Sequence, residues 1–386
     1  MHFSAHPFFI SLPFFQILHP QTSMWFLLFM ILPFIGLAYV GWHIWVLLPL
    51  ASIWKGLILT TGIACFFMLF LNFSGALEKI PLPLSRILYE TGTTTILVLL
   101  YLVILFLVLD LGRLVHLVPR SWLYANGVTS VAILGMMLTV FLCGNIHYHN
   151  KVRVALNLQT TKPLKKDYTI VMASDLHLGY HNTRSDLAKW VDMMNAEQPD
   201  LILIAGDIID ISVRPLFEEK MAEEFHRLQA PVYACLGNHE YYSNEPRAQQ
   251  FYTDAGIHLL KDSCVVADDL CIIGRDDRTN RHRLAIRKLM QQADSTKYQI
   301  LLDHQPYYLE QAEQAGIDFQ LSGHTHEGQI WPVSWITHHL YECSWGSYQR
   351  SNTHYYVSSG LGIWGGKYRI GTQSEYIVLK LTSERQ

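Results

Sequence analysis

The chain has 386 residues, half of them apolar or aromatic, only 16% charged, with a formal net charge of −3. That length allows two domains, and the near-neutral balance, with no basic stripe, excludes a nucleic-acid-binding protein. The charge is unevenly spread: the first 150 residues hold five basic side chains (Lys55, Lys79, Arg86, Arg113, Arg120) and three acidic ones (Glu78, Glu90, Asp110). Everything after them has an ordinary soluble balance.

In chain order, Met1–Ser23 is apolar and aromatic but broken by Pro7, Pro13 and Pro20. It lacks the basic start of a signal peptide, and it reads either as an interfacial segment or as sequence ahead of a true start at Met24. Met24–Gly41, Gly56–Leu71, Gly92–Leu109 and Gly127–Gly144 are apolar runs near the length a bilayer requires, without Lys, Arg or Glu. Trp25, Trp42, Trp45, Trp54 and Trp122 flank them, as interfacial aromatics do. Four transmembrane helices are therefore expected over residues 1–150, with both termini on one side. Lys151, Arg153, Lys162, Lys165 and Lys166 follow the last run closely, and by the positive-inside rule they place the second half in the cytoplasm. Seven histidines (His2, His6, His19, His43, His116, His147, His149) lie in or beside the apolar half and read as interfacial polar residues, not as a relay with intramembrane acids. The cysteines show no zinc-site spacing, and those of the second half suit a reducing compartment.

Asn150–Asp167 is polar and basic and reads as a linker. From Tyr168 short apolar runs alternate with helical periodicity, the mark of an α/β domain over residues 168–386. Tyr168–Ala173 is a predicted strand and Thr183–Glu197 a helix with Leu187, Trp190, Val191 and Met194 on one face. Leu201–Ile204, four large apolar residues in a row, is a strand buried on both faces. Pro215–Gln229 follows as a helix, then strands at Val232–Leu236, Leu270–Ile273, Gln299–Leu302, Phe319–Leu321, Tyr355–Val357 and Tyr376–Leu381.

The chemistry stands where five of these strands end. Ser174-Asp175-Leu176-His177, Gly206-Asp207-Ile208-Ile209-Asp210, Gly237-Asn238-His239-Glu240, Asp303-His304 and Gly323-His324-Thr325-His326 each follow a strand. The carboxyl edge of an open α/β sheet is its usual ligand site. Any one of these residues alone is ordinary turn chemistry, but the ordered set is highly specific. Asp175, His177, Asp207, Asn238, His304, His324 and His326 offer seven oxygen and nitrogen ligands, too many for one tetrahedral zinc and suited to two divalent ions sharing a carboxylate. Two ions about 3.5–4 Å apart would clamp a phosphoryl group and lower the pKa of a water between them. His239 remains free to act as an acid or as a phosphate clamp.

With this set the chain resembles the calcineurin-like metallophosphoesterase superfamily over roughly Tyr168–Leu381. It is most similar to the membrane-associated bacterial branch, whose tail reads G-H-T-H-G-G-Q and then G-L-G with a downstream Arg. The resemblance implies that Asp175, His177, Asp207 and His326 bind one metal ion, and Asp207, Asn238, His304 and His324 the other. It implies two divalent ions (manganese, iron or zinc), His239 stabilising or protonating the leaving oxygen, and Asp210 orienting the groups that touch metal. Glu327 stands where the branch usually has Gly, and Lys367 where a Pro is common before the Arg, here Arg369. These departures touch the substrate rim.

Arg275, Arg278, Arg281 and Arg283 either meet phosphate or form a solvated face. His338, His339 and Glu342 read as surface, and the aromatic run Trp331–Tyr348 as a lid, a membrane-facing rim or packing. The expectation is thus a four-helix membrane anchor carrying a two-sheet α/β sandwich flanked by helices. Its expected activity is a two-metal phosphoesterase acting on a phosphodiester or pyrophosphate. Placement beside a bilayer favours a lipid-linked substrate, and the branch includes enzymes that cleave UDP-2,3-diacylglucosamine in lipid A synthesis. The alternatives are a tethered phosphodiesterase of soluble nucleotides and a membrane sensor whose hydrolase-like domain only binds.

Overall fold

The computed structural model of the protein describes residues 22–384, with side chains from Ile31 onward; the expectation for Met1–Ser23 falls almost wholly outside them. Four apolar helices come first: α1 (Thr22–Leu47), α2 (Ser52–Ser74), α3 (Leu82–Leu114) and α4 (Gly127–His149). Of these, α2, α3 and α4 are long and apolar enough to cross a membrane, while the side-chain-resolved part of α1, Ile31–Leu47, is a shorter apolar helix. Among the described residues, then, three candidate spans stand beside this shorter apolar helix. The chain divides into two compact units, Met1–Leu69 with Thr95–Met137, and Phe70–Thr94 with Leu138–Gln386.

In the first unit His43 is buried, stacked on Phe106 with ring centroids 4.4 Å apart. Its Nε2 lies 3.0 Å from Asp110 Oδ2, which also accepts from the Tyr39 hydroxyl at 2.8 Å. His43 therefore departs from the reading of these histidines as unpaired interfacial residues. The reason lies in the helix pairing: α1 and α3 bring together residues 67 positions apart, because a polar group among apolar helices is held by another polar group.

The second unit holds two six-stranded sheets. The first orders β1 (Val152–Thr160), β12 (Glu375–Ser383), β2 (Tyr168–Ala173), β3 (Leu201–Ala205), β4 (Val232–Cys235) and β5 (His258–Leu259). The second orders β10 (Gly346–Arg350), β11 (Thr353–Val357), β9 (Phe319–Ser322), β8 (Tyr298–Leu302), β7 (Leu270–Gly274) and β6 (Ser263–Ala267). Within them β2, β3 and β4 run parallel, as do β7, β8 and β9. The period of two sorts their side chains: Ile170, Met172, Leu203 and Ala205 face Ile272, Ile300, Leu302 and Leu321 between the sheets. Val171, Ala173, Ile202 and Ile204 point the other way, into α5 (Arg184–Ala196), α6 (Arg214–Glu218), α7 (Ala222–Phe225) and α9 (Glu245–Asp254), the last following α8 (Asn238–Tyr242). On the far side Ile273, Leu301 and Val357 meet α10 (Ile286–Leu289) and α11 (Glu310–Ala315). A short α12 (Val333–Leu340) lies between β9 and β10.

Two of the expected elements take another form, and β5, β6 and β10 were not expected as strands. The linker stretch contains β1, which pairs in parallel with β12 from Val152↔Glu375 onward. Its residues alternate between half-buried and exposed, as on an edge strand with one wet face. The helix expected over Pro215–Gln229 is two short helices, because Lys220 takes φ 52° between them and turns buried Met221 into the core.

Candidate metal centre

All five loops named above leave their strands at the carboxyl ends, and the two sheets bring them to one place. Gly206 has φ 77°, and a Cβ there would lie 2.8 Å from both Gly237 N and His304 Nδ1. Only glycine permits that approach. Asp175, His177, Asp207, His324 and His326 also hold positive φ, from 45° to 71°. Such conformations cost energy in non-glycine residues and persist where surrounding structure forces them, commonly at functional sites.

Two clusters result. In one, His177 Nε2 lies 3.0 Å from His326 Nε2 and 3.7 Å from Asp175 Oδ1, which is 3.3 Å from His326 Nε2. In the other, His304 Nε2 lies 3.0 Å from Asp207 Oδ2, and His324 Nδ1 lies 2.8 Å from Asn238 Oδ1. Asp207 Oδ2 belongs to both, being also 3.7 Å from His177 Nε2. The seven residues singled out as ligands thus converge.

The donor set fits cations. His304 Nδ1 donates to the Ala205 carbonyl at 2.7 Å, so its Nε2, facing a carboxylate oxygen, must carry a proton or a bound cation. That Nε2 is buried without a hydrogen-bond partner among the described residues. Two facing lone pairs away from water are repulsive unless positive charge lies between them. Burial disfavours charge on these rings, yet Asp207 outweighs it at His304 and holds that ring's pKa well above the ordinary value. Asp175 and Asp210 likewise hold His177 up to about 10 against its burial. Burial and the His304 charge push His324 down to about 3, leaving its ring neutral.

His239 stands beside these clusters. Its Nδ1 is 3.2 Å from Asp210 Oδ1, and its backbone N–H donates to Asp207 Oδ1 at 2.9 Å. The same Asp210 Oδ1 lies 3.4 Å from His177 Nδ1. Asp210 therefore faces the outer nitrogen of both rings, which directs their Nε2 atoms inward.

Glu240 was missed by sequence reasoning. It is fully buried and accepts from the backbone N–H groups of Gly237, Asp207 and Ile209 at 2.7, 3.2 and 3.0 Å. One carboxylate thereby holds two ligand loops, and its place after Asn238-His239 was the available signal. Arg369, flagged as a downstream arginine, is fully buried and donates to the His326 carbonyl at 2.6 Å.

The arginine loop separates into roles. Arg275 and Arg283 are each paired with Asp303 at 3.0 Å and are not free for phosphate. Arg278 lies over the Tyr307 ring at 4.1 Å, and that ring is 6.5 Å from the His324 ring. Its Nη1 has no hydrogen-bond partner among the described residues.

Residues 168–328, which contain all seven candidate ligand residues, match the family model for calcineurin-like phosphoesterases. This part of the chain is a calcineurin-like phosphoesterase domain. Such domains use two divalent metal ions, and here His and Asp clusters are placed to hold them. An uncharacterized metallophosphoesterase of Campylobacter jejuni is 31% identical over 236 residues, covering 58% of this chain and 61% of that protein. One of Helicobacter pylori is 31% identical over 229 residues, covering 58% and 62%. A Danio rerio protein named as a transmembrane protein with metallophosphoesterase domain is 29% identical over 313 residues, covering 72% and 71%. The chain spans about three fifths of the length of the two bacterial relatives.

Proposed function

We propose that the protein is a metal-dependent hydrolase of a phosphodiester or pyrophosphate bond in a substrate carried by the membrane. Asp175, His177, Asp207 and His326 hold one ion, and Asp207, Asn238, His304 and His324 the other. Bound ions supply a neutral-pH nucleophile and neutralise phosphoryl charge. His239, oriented by Asp210, gives its proton to the leaving oxygen.

The observation that carries the membrane-borne substrate is α12. It buries Ser334 and Thr337 and turns Trp335, Ile336 and Leu340 outward at 60%, 48% and 47% exposure. A helix with small polar residues inside and large apolar ones outside is built to meet an apolar medium, as interfacial helices do. It begins only seven residues after His326, and Trp331, just ahead of it, is bonded through its N–H to the Ile370 carbonyl at 2.7 Å. Neighbouring Arg369 bonds to Gly144 of α4 at 2.9 Å. The exposed aromatic face thus adjoins the place where an apolar helix meets the catalytic unit. Arg278, with an unpaired donor near His324, supports a second anionic group on the substrate, as in a nucleotide-linked lipid such as UDP-2,3-diacylglucosamine. Lys162, Lys165 and Lys166 support a cytoplasmic catalytic unit.

The test compares the full chain, in mixed micelles, on long-chain lipid-linked diphosphates and on soluble dinucleotide phosphoesters. Trp335→Asp with Ile336→Asp should lower kcat/KM on the lipid-linked substrate alone. Equal use of both substrates, with no effect of the double variant, would end the membrane-substrate reading.

A further inference from the structure

Helix α3 is longer than a span needs: its 33 residues rise about 50 Å, roughly 20 Å more than the hydrocarbon core of a bilayer. The surplus lies at its start, and Phe70–Thr94 belongs to the catalytic unit. This segment is tied down by polar bonds. Glu78 accepts from the Tyr180 hydroxyl at 2.8 Å, Leu77 O accepts from Arg214 Nη1 at 2.8 Å, and Arg86 Nη2 pairs with Glu219 at 2.7 Å.

From the third turn of α3, Tyr89 reaches the metal centre's supporting layer. Its hydroxyl donates to Asp210 Oδ2 at 2.6 Å and accepts from the Gly365 N–H at 3.2 Å. Its ring stacks on buried His181 with centroids 5.1 Å apart. Asp210 is fully buried, and its other oxygen is the one that faces His239 and His177. With Oδ2 held by Tyr89, the carboxylate plane is set and Oδ1 is kept for the two rings. His181 Nδ1 also faces Oδ2, but at 3.8 Å it is too far to hold the carboxylate in the hydroxyl's place.

We infer that Tyr89 is a positioning residue for the hydrolytic site: its hydroxyl orients Asp210, and through it His239. The phosphoesterase domain of residues 168–328 is therefore completed by the first turns of an apolar helix. Anything that moves the start of α3 moves the acid. The role of His239 rests on the proposed function; the Tyr89–Asp210 link does not.

The experiment is a double-mutant cycle on the full chain in detergent, with Tyr89→Phe, Asp210→Asn and both together. Tyr89→Phe keeps the stacked ring and removes only the hydroxyl. It should lower kcat about tenfold, a small part of the roughly 10²–10⁴-fold that a positioned acid contributes. KM should stay within about twofold and both metal ions should remain by elemental analysis. In the Asp210→Asn background the same change should cost less than about twofold. Full kcat in Tyr89→Phe, loss of metal, or an undiminished loss on top of Asp210→Asn would each overturn the inference. Thermal midpoints of the four proteins give a readout free of activity. Should the wild-type chain hydrolyse no phosphoester, the proposed function falls, while non-additive midpoints would still uphold the link and additive ones overturn it.

Discussion

Replacing His239 by alanine removes an imidazole and little else. The ring's Nδ1 is 3.2 Å from Asp210 Oδ1, and its centroid is 4.5 Å from that of His177. Alanine keeps the backbone N–H that donates to Asp207 Oδ1 at 2.9 Å, so the carboxylate shared by the two clusters is not released. Asp210 keeps Tyr89 and His177 and stays in place. The His239 side chain is only 13% exposed, so the lost packing costs stability, which a thermal midpoint reads separately from kcat. The catalytic cost should fall on kcat, about 10²–10⁴-fold if His239 is the general acid. That equals about 3–5 kcal/mol of transition-state stabilisation at roughly 1.4 kcal/mol per decade. It should also depend on the leaving group. A nitrophenolate leaves with little protonation, whereas an alkoxide needs the proton. The assay measures kcat for the full chain on bis-p-nitrophenyl phosphate and on an alkyl phosphodiester, with metal content determined alongside. The alkyl substrate should bear nearly the whole loss. Equal losses on both substrates would mean that His239 binds phosphate and donates no proton, and a missing metal ion would mean that it is a ligand.

Asp207→Asn should lose most of both ions and nearly all activity, because a neutral amide cannot offset the charge of two cations; two ions still bound by elemental analysis would break the bridging assignment. Arg278→Ala should raise KM for diphosphate-containing substrates about tenfold, some 1.4 kcal/mol, and leave KM for simple phosphodiesters unchanged. Equal KM changes on both would place the guanidinium elsewhere than on a second anionic group. Asp186→Ala should lower stability by about 1 kcal/mol, since Asp186 closes the capping box of α5. Burial raises the Asp186 carboxyl, but Lys367 and the Thr183 N–H outweigh it and hold the pKa below the ordinary value. A depressed carboxyl contributes stability above its unfolded pKa and loses it as pH falls. The gap in thermal midpoint between wild type and Asp186→Ala should thus be full at neutral pH and close below about pH 4.

The amino-acid sequence by itself singled out the candidate metal-ligating residues, because metal ligands must be particular side chains, here standing at strand ends. Asp175, His177, Asp207, Asn238, His304, His324 and His326 were legible for that reason, as were the doubly buried strands β2, β3 and β8, whose apolar runs admit no other placement. Edge strands were less legible. In β1 the alternation is real, but Arg153, Asn157 and Gln159 on the wet face make it look like a connector. Only the tertiary structure brought the candidate ligands together in space, since two facing sheets place His304 against Asp207 across 97 residues of sequence. It alone separated Arg278 from Arg275 and Arg283, which differ in partner and not in sequence character. Tyr89 lies furthest from sequence reasoning. A tyrosine near the start of an apolar helix carries no mark of catalysis, and its role follows from a contact 121 residues away, made by the overlong start of α3 against Asp210.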